Sequence, residues 1–241
     1  DRVFDAVSLG DYAVESLDLP LPDPDQGRGT EIARNLIENT RDSGIELGAG
    51  AIDVEVHHNV LRRTHGGLRF KLPRVGPIYI HHNRLIDGSP FNLWFSMDAS
   101  PAEAWVYHNT VVRGGSEFLQ VSGDSMKKRD FVAPRWHFLN NLTLNERGFC
   151  HPDEKGRLDF SASHNVSTGK SCPWPGDDSR DPGSRYSVEI PHDESGKPAA
   201  GSAAIDAGVD LSTFLDGKPL PGCEPGYFRG KAPDAGAVEV E

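Results

Sequence analysis

The chain has 241 residues, of which 25 are Lys or Arg and 36 are Asp or Glu, so its formal net charge is −11. This acidic balance disfavours a protein that grips a nucleic-acid backbone, and no run approaches the roughly 18 apolar residues of a membrane-spanning helix. We therefore expect neither a nucleic acid nor a membrane as a partner. The 26 Gly and 18 Pro residues favour a turn-rich, all-β protein.

The first predicted strand lies near the amino end, in the letters DAVSLG at 5–10. Its pattern matches SGIELG at 43–48, which lies 38 residues further along. Residues 12–30 between them are rich in Pro and Asp, and we expect an insertion there. Nothing before the first strand would cap a stack of strands, and native solenoids avoid exposed sheet edges. We therefore expect upstream coils or a partner chain at this end.

A repeat of about 24 residues follows. In each of six segments, alternating apolar residues surround an asparagine: Asn35, Asn59, Asn83, Asn109, Asn141 and Asn165, at spacings of 24, 24, 26, 32 and 24. Alternation with period two indicates strands rather than helices. A fixed period with occasional insertions predicts a single-stranded, right-handed parallel β-helix over residues 1–170, with three short strands in each coil.

The repeated asparagine predicts the structure of one corner of the coil. Asparagine tolerates left-handed backbone conformations, and its side-chain amide both donates and accepts hydrogen bonds. Stacked asparagines can therefore form an amide ladder from coil to coil. The period is lost after residue 170, and we expect residues 171–241 to form an irregular carboxy-terminal capping segment.

The asparagines and their strands resemble the right-handed parallel β-helices of the pectate-lyase-like superfamily. The letters SAAIDAG at 202–208 and APDAGAVE at 232–239 look like the closing segment of many bacterial secreted β-helix proteins. The resemblance implies a carbohydrate cleft on the outer face of the first sheet, formed by the strands eight to thirteen residues after each asparagine. The variable segments 71–77, 96–103 and 122–135 follow these strands and would wall the cleft.

Outward positions on this predicted sheet carry the candidate site. Counting from the asparagines places Glu46, Arg69, Trp94 and Gln120 in one column, with Lys71 two residues beyond Arg69 and with Arg63 and His65 in the turn before it. Arginine pairs with a carboxylate through two hydrogen bonds, and tryptophan offers a flat face to a sugar ring. This combination suits an anionic polysaccharide. The alternative is an ion pair between Glu46 and Arg69 across neighbouring coils, with Trp94 under a loop.

Together with the resemblance, this cluster predicts an extracellular polysaccharide lyase that cleaves a uronate glycan by β-elimination. The predicted catalytic residues are Lys71, Arg69 and His65, and the predicted substrate-binding residues are Trp94, Glu46, Arg63 and Gln120. Arg69 would neutralise the uronate carboxylate, while Lys71 or His65 would remove the neighbouring proton.

Two other functions stay open. Glu31 and Glu55 are expected one coil, or about 5 Å, apart, which is near the separation of the two carboxylates in retaining glycosidases. The sequence also lacks the known catalytic signatures of the superfamily, and this favours a non-catalytic glycan-binding or surface solenoid. The fold alone does not decide between these functions.

Histidines occupy two columns beside the asparagines. His57 and His81, followed by Tyr107, stand two residues before an asparagine, and the residues directly before one include His58, His82, His108 and His164. The first column could serve acid–base chemistry or bind a metal, but ring stacks also stabilise parallel sheets. We predict that both columns are structural and that the chain holds no metal or other cofactor. Calcium is not supported, because Glu46 is the one outward acid in register on the first sheet.

The cysteines give an indication of the cellular compartment of the protein. Cys150 and Cys172 are 22 residues apart, close to one coil, and could form a disulfide, which would leave Cys223 free. A disulfide indicates an oxidising environment. Together with the resemblance, it predicts a secreted or periplasmic bacterial protein.

Overall fold

The computed structural model describes residues 6–9, 28–48, 51, 53–71, 76–89, 91–94, 103–114, 118–122, 135–145, 160–170 and 181–240. Within these ranges the chain is a parallel β-solenoid and contains no helix. The same residues accordingly include no helix long and apolar enough to cross a membrane. The predicted all-β solenoid with a repeat of about 24 residues is confirmed.

Three parallel sheets run along the solenoid, with five described strands in the first sheet and six in each of the other two. The first sheet contains β1 (Val7–Leu9), β4 (Ile45–Leu47), β7 (Leu68–Lys71), β10 (Phe91–Trp94) and β13 (Leu119–Ser122). The second contains β2 (Glu31–Ala33), β5 (Val54–His57), β8 (Ile78–His81), β11 (Ala104–Tyr107), β14 (Trp136–Leu139) and β16 (Phe160–Ser163). The third contains β3 (Leu36–Glu38), β6 (Val60–Arg62), β9 (Arg84–Ile86), β12 (Thr110–Val112), β15 (Leu142–Leu144) and β17 (Val166–Ser167).

The core lies inside the coils. Inward positions alternate with outward ones along the strands whose side chains the structure describes, and the inward side chains form one continuous apolar cluster, including Ile45, Val56, Leu61, Phe70 and Val106. All five are at most 1% exposed. Burial of this interior is the main favourable contribution to folding of the solenoid.

The asparagine ladder is present and runs through all six coils. The side-chain Nδ2 of each asparagine donates to Oδ1 of the next, over 2.9 Å between Asn35 and Asn59 and 3.1 Å between Asn109 and Asn141. The backbone N–H of each also donates to that same Oδ1, as from Asn59 to Asn83 at 3.0 Å. Every ladder asparagine after the first is completely buried, so hydrogen bonds within the protein must satisfy its amide.

The left-handed backbone at this corner belongs to the residue before each asparagine, not to the asparagine itself. Positive φ angles of 49° to 58° occur at Arg34, His58, His82, His108, Asn140 and His164. The expectation that the ladder asparagines adopt this conformation is therefore wrong. Their contribution is the amide hydrogen bonding, and a different residue makes the turn.

The carboxy-terminal segment first continues the stack. Arg185 forms a parallel bridge with Val166, and Ser184 Oγ accepts the backbone N–H of Asn165 at 2.8 Å, where the next asparagine of the ladder would stand. Asp181 in turn accepts hydrogen bonds from the hydroxyls of Ser184 and Tyr186. A short hydroxyl thus ends the amide ladder.

From Ile190 onward this segment turns back along the outside of the solenoid. Ile190, Ala204, Ala207 and Ala235 pack on the outer face of the third sheet. Leu211, Leu220 and Cys223 pack on the outer face of the second sheet, against Trp105, Tyr107 and Leu139. We call residues 190–240 the strap. Its two apolar clusters cover parts of the second and third sheets and include no residue of the first sheet.

Candidate functional site

The register of the first sheet corrects the predicted column of outward residues. Arg69 pairs with Asn92, which pairs with Gln120, whereas Trp94 pairs with Lys71 and with Ser122. Trp94 therefore lies beside Lys71, not beside Arg69. Lys71 is two residues beyond Arg69 on the same strand. Strand alternation therefore assigns Lys71 and its register partner Trp94 to the same face of the sheet as Arg69, opposite to the face of the buried Leu68 and Phe70.

Arg69 and Glu46 form the ion pair that the sequence left as an alternative. Arg69 Nη1 lies 3.6 Å from Glu46 Oε2, and Arg69 Nη2 lies 2.6 Å from Asp42 Oδ1. Ser43 Oγ donates to Glu46 Oε2 at 3.3 Å. Arg69 is 7% exposed and Glu46 is 2% exposed.

This geometry bears on the predicted roles of both residues. The guanidinium of Arg69 already faces two carboxylates, and little of its surface reaches solvent. It is therefore not placed to neutralise a substrate carboxylate, and the buried Glu46 is not placed to contact a sugar. Their ion pair instead links the neighbouring strands β4 and β7.

Arg63 and His65 come together in an open cleft at the corner between the third and first sheets. The cleft has a volume of about 350 Å³, and its lining is completed by Thr40, Thr64, Asp87, Gly88 and Ser89. His65 is exposed, and Arg63 donates from Nε to Asn39 Oδ1 at 2.7 Å. Gly88 has to be a glycine, because a Cβ there would lie 2.4 Å from the carbonyl oxygen of Thr64.

Some predictions fall on residues outside the described ranges. They include most of the three loops expected to wall the cleft, and both Cys150 and Cys172. Among the described residues, Cys223 is a free and buried thiol, and burial raises its pKa. A raised thiol pKa lowers the fraction of reactive thiolate at neutral pH.

The outer face of the second sheet carries a repeated chain of hydrogen bonds. His57 Nε2 lies 2.8 Å from Glu31 Oε1, and His57 Nδ1 lies 2.8 Å from His58 Nδ1. One coil further on, His81 Nε2 lies 2.9 Å from Glu55 Oε1, and His81 Nδ1 lies 2.8 Å from His82 Nδ1. Each unit joins a carboxylate to two perpendicular imidazoles. This pairing was not among the predictions from the sequence, although each Glu stands 26 residues before its histidine.

The rings also stack from coil to coil. His57, His81 and Tyr107 are nearly parallel, with centroids 4.9 Å apart at both steps. The corner rings of His58, His82 and His108 stack at 5.0 and 5.1 Å. These distances match the spacing of neighbouring strands, so the backbone itself sets the stack.

Burial keeps most of these imidazoles neutral. Desolvation is the largest cause that lowers the pKa of His58 to about 4 and of His108 to about 4, and it lowers the pKa of His81 and His82 as well. In a neutral His81 the Nε2–H donates to the Glu55 carboxylate, so Nδ1 keeps its lone pair and accepts from His82.

Glu31 and Glu55 pair in register on neighbouring strands, as the sequence predicts. However, each carboxylate faces a histidine ring nitrogen. The hydrogen bond from His81 is the largest cause that lowers the pKa of Glu55. A glycosidase needs one carboxyl group with a raised pKa as its general acid, whereas the pKa of Glu55 is lowered.

No protein family, no curated protein and no solved structure matches this chain in the comparisons. What the structure itself establishes is a parallel β-solenoid with an asparagine ladder along one corner.

Proposed function

We propose that this chain is an extracellular carbohydrate-binding β-helix of the pectate-lyase-like type, which holds an acidic glycan against the outer face of its first sheet. The single observation that supports this most is the register of Trp94 with Lys71 on adjacent strands. A flat aromatic residue one strand away from a cation suits a uronate, which has a sugar ring and a carboxylate.

The course of the strap also supports this face. Its apolar clusters lie on the outer faces of the second and third sheets. A long polysaccharide needs a continuous outer surface across several coils, and among the described residues neither cluster includes a residue of the first sheet. Asn92 and Gln120, in register with each other, would add hydrogen-bonding groups along that surface.

The test is the affinity for short oligouronates, measured by titration calorimetry. We expect Trp94→Ala to weaken binding about tenfold, which corresponds to the loss of one ring-stacking contact. The matched control is Phe214→Ala, since Phe214 is an exposed aromatic residue of the strap at 40% exposure. Equal affinity of both variants, or no binding by the parent chain to any uronate oligomer, would contradict the proposal.

Cleavage of the bound glycan by β-elimination is the second candidate. The cleft that holds Arg63 and His65 favours it, because an exposed imidazole beside a guanidinium supplies a base and a cation at the start of β7. Asp42 and Glu46 compensate Arg69, and Arg63 Nη2 lies 3.5 Å from Glu38 Oε1, so Lys71 becomes the proposed neutralising group.

Two readouts separate cleavage from binding. A lyase creates unsaturated ends that absorb in the ultraviolet together with new reducing ends, whereas a hydrolase creates reducing ends alone. In the lyase case we expect Lys71→Ala and His65→Ala each to lower the rate at least a hundredfold, the first because the neutralising cation is lost and the second because the general base is lost. Binding without either signal would assign the chain as a glycan-binding solenoid.

A further inference from the structure

The histidine cluster on the second sheet is a feature that glycan binding does not use. One ring nitrogen from each of His57, His58 and His81 lies within 4.8 Å of the other two. His57 and His81 are buried, while His58 is exposed at the corner. The three residues come from two neighbouring coils, so an ion held by them would join one coil to the next.

The carboxylates behind the cluster fix which ring nitrogen of His57 and of His81 is available to a metal. Glu31 accepts from His57 Nε2 and Glu55 accepts from His81 Nε2, at 2.8 and 2.9 Å. With those nitrogens protonated, both Nδ1 lone pairs point away from the carboxylates and towards the corner histidines. A histidine ligand whose second nitrogen donates to a carboxylate is a recurring second-shell arrangement in metalloproteins.

We propose that His57, His58 and His81 form a binding site for a divalent transition-metal ion of the zinc type. Three imidazoles and a water in the fourth position are ligands that suit such an ion. This differs from the sequence prediction of no metal, which considered each histidine column separately. The site needs ligands from both columns.

The geometry shows which group has to move. The Nδ1 atoms of His57 and His58 are 2.8 Å apart and share one hydrogen. A metal with bonds of about 2.0–2.1 Å would replace that hydrogen and spread the two nitrogens slightly, while the proton moves to the solvent-facing Nε2 of His58. The stacked rings of His57 and His81 have centroids 4.9 Å apart, so these rings also have to tilt towards a shared ion. Gly222 packs against the His81 ring, so His57 and the exposed His58 provide most of the adjustment. His81 would also give up its hydrogen bond to His82.

The experiment uses the untagged chain and Co²⁺ as the probe, near neutral pH. We expect the intense visible bands of tetrahedral cobalt without a thiolate charge-transfer band, and displacement of the cobalt by Zn²⁺. His58→Ala should weaken binding at least tenfold. Glu31→Gln should weaken it about 10- to 100-fold while keeping the tetrahedral spectrum, because Glu31 only orients a ligand.

His164→Ala is the matched control, because His164 has the same corner position and a positive φ but follows Ser163 rather than a histidine. We expect it to bind cobalt as the parent chain does. The spectrum of hydrated cobalt alone, equal affinity of His58→Ala and the parent, or a loss confined to His164→Ala would each overturn the site. Circular dichroism of His58→Ala establishes that the variant is folded.

Discussion

At the scale of single residues, two neighbouring residues with different roles form each corner of the coil. One residue adopts the left-handed turn, and the asparagine after it satisfies the buried polar groups that the turn leaves. In the amide of Asn83, Oδ1 accepts from the backbone N–H and the side chain of Asn59, and Nδ2 donates to Val56 O and to Asn109. All hydrogen-bonding positions of this buried amide are used.

Asn83→Ala should therefore be costly. The change removes four hydrogen bonds and deprives the buried groups of Asn59 and Val56 of these partners, while Asn109 Oδ1 keeps only the backbone N–H of residue 83. We expect the free energy of unfolding to fall by about 3–5 kcal/mol, as measured by urea denaturation. Asn35→Ala, at the exposed end of the ladder, should cost about 1 kcal/mol. Equal losses in the free energy of unfolding for the two variants would show that the buried ladder hydrogen bonds do not cause the destabilisation.

His108 predicts how stability depends on pH. Its Nδ1 donates to Gly236 O at 3.3 Å and its Nε2 accepts from Asn140 Nδ2 at 3.1 Å, while His82, Tyr107 and Tyr227 surround the ring. Desolvation is the main cause that lowers its pKa from 6.5 to about 4. The folded state thus binds this proton less readily than the unfolded state.

The difference between the folded and unfolded pKa of His108 determines how stability changes with pH. The stabilisation is complete above about pH 6.5, the unfolded value, and is lost as the pH falls towards about 4. For this fully buried ring the loss is about 3 kcal/mol. We expect His108→Asn, which copies Asn140 at the same corner of the next coil, to fold and to lose less stability than the parent between about pH 7 and 4.5. Identical pH profiles would show that other groups control the acid response.

At the scale of the strands, the repeat predicted the elements but not the register of β10. Phe91 begins this strand eight residues after Asn83, whereas Leu68 begins β7 nine residues after Asn59. Phe91 and Leu93 are both apolar with the same parity, so a shift of two residues leaves the inward face unchanged. The pattern alone therefore cannot decide whether Trp94 lies beside Arg69 or beside Lys71.

The buried ion pair belongs to this scale, because it links β4 and β7. Arg69→Met would leave the carboxylate of Glu46 buried without its cation. We expect a loss of about 3–5 kcal/mol in chemical denaturation, and recovery of much of it when Glu46→Leu is added. The exposed Arg113, paired with Asp87 at 2.7 Å, is the control, and Arg113→Met should cost less than about 1 kcal/mol. Similar losses from both arginines would contradict the role given to burial.

At the scale of the whole molecule, the strap determines which surfaces remain available. Asn140 binds it directly, donating to Val209 O and accepting from Val209 N, both at 2.8 Å. The sequence indicated an irregular closing segment but not its path, because the path depends on outward apolar residues such as Trp105 and Val112 that look like ordinary strand positions.

The contacts within the histidine cluster could not be predicted from the sequence either. Its Glu–His bonds join residues of different coils through side-chain rotamers, and a repeat pattern fixes only their columns. The inward apolar positions of the described core, by contrast, follow from period-two alternation.

The most direct test of the glycan surface is hydroxyl-radical footprinting of the chain with and without a saturating uronate oligomer. We expect the reactivity of Trp94 to fall several-fold on binding, while Phe214 and Tyr227 of the strap keep theirs. Protection of the strap aromatics with no change at Trp94 would contradict the assignment of the first sheet and move the glycan to another face.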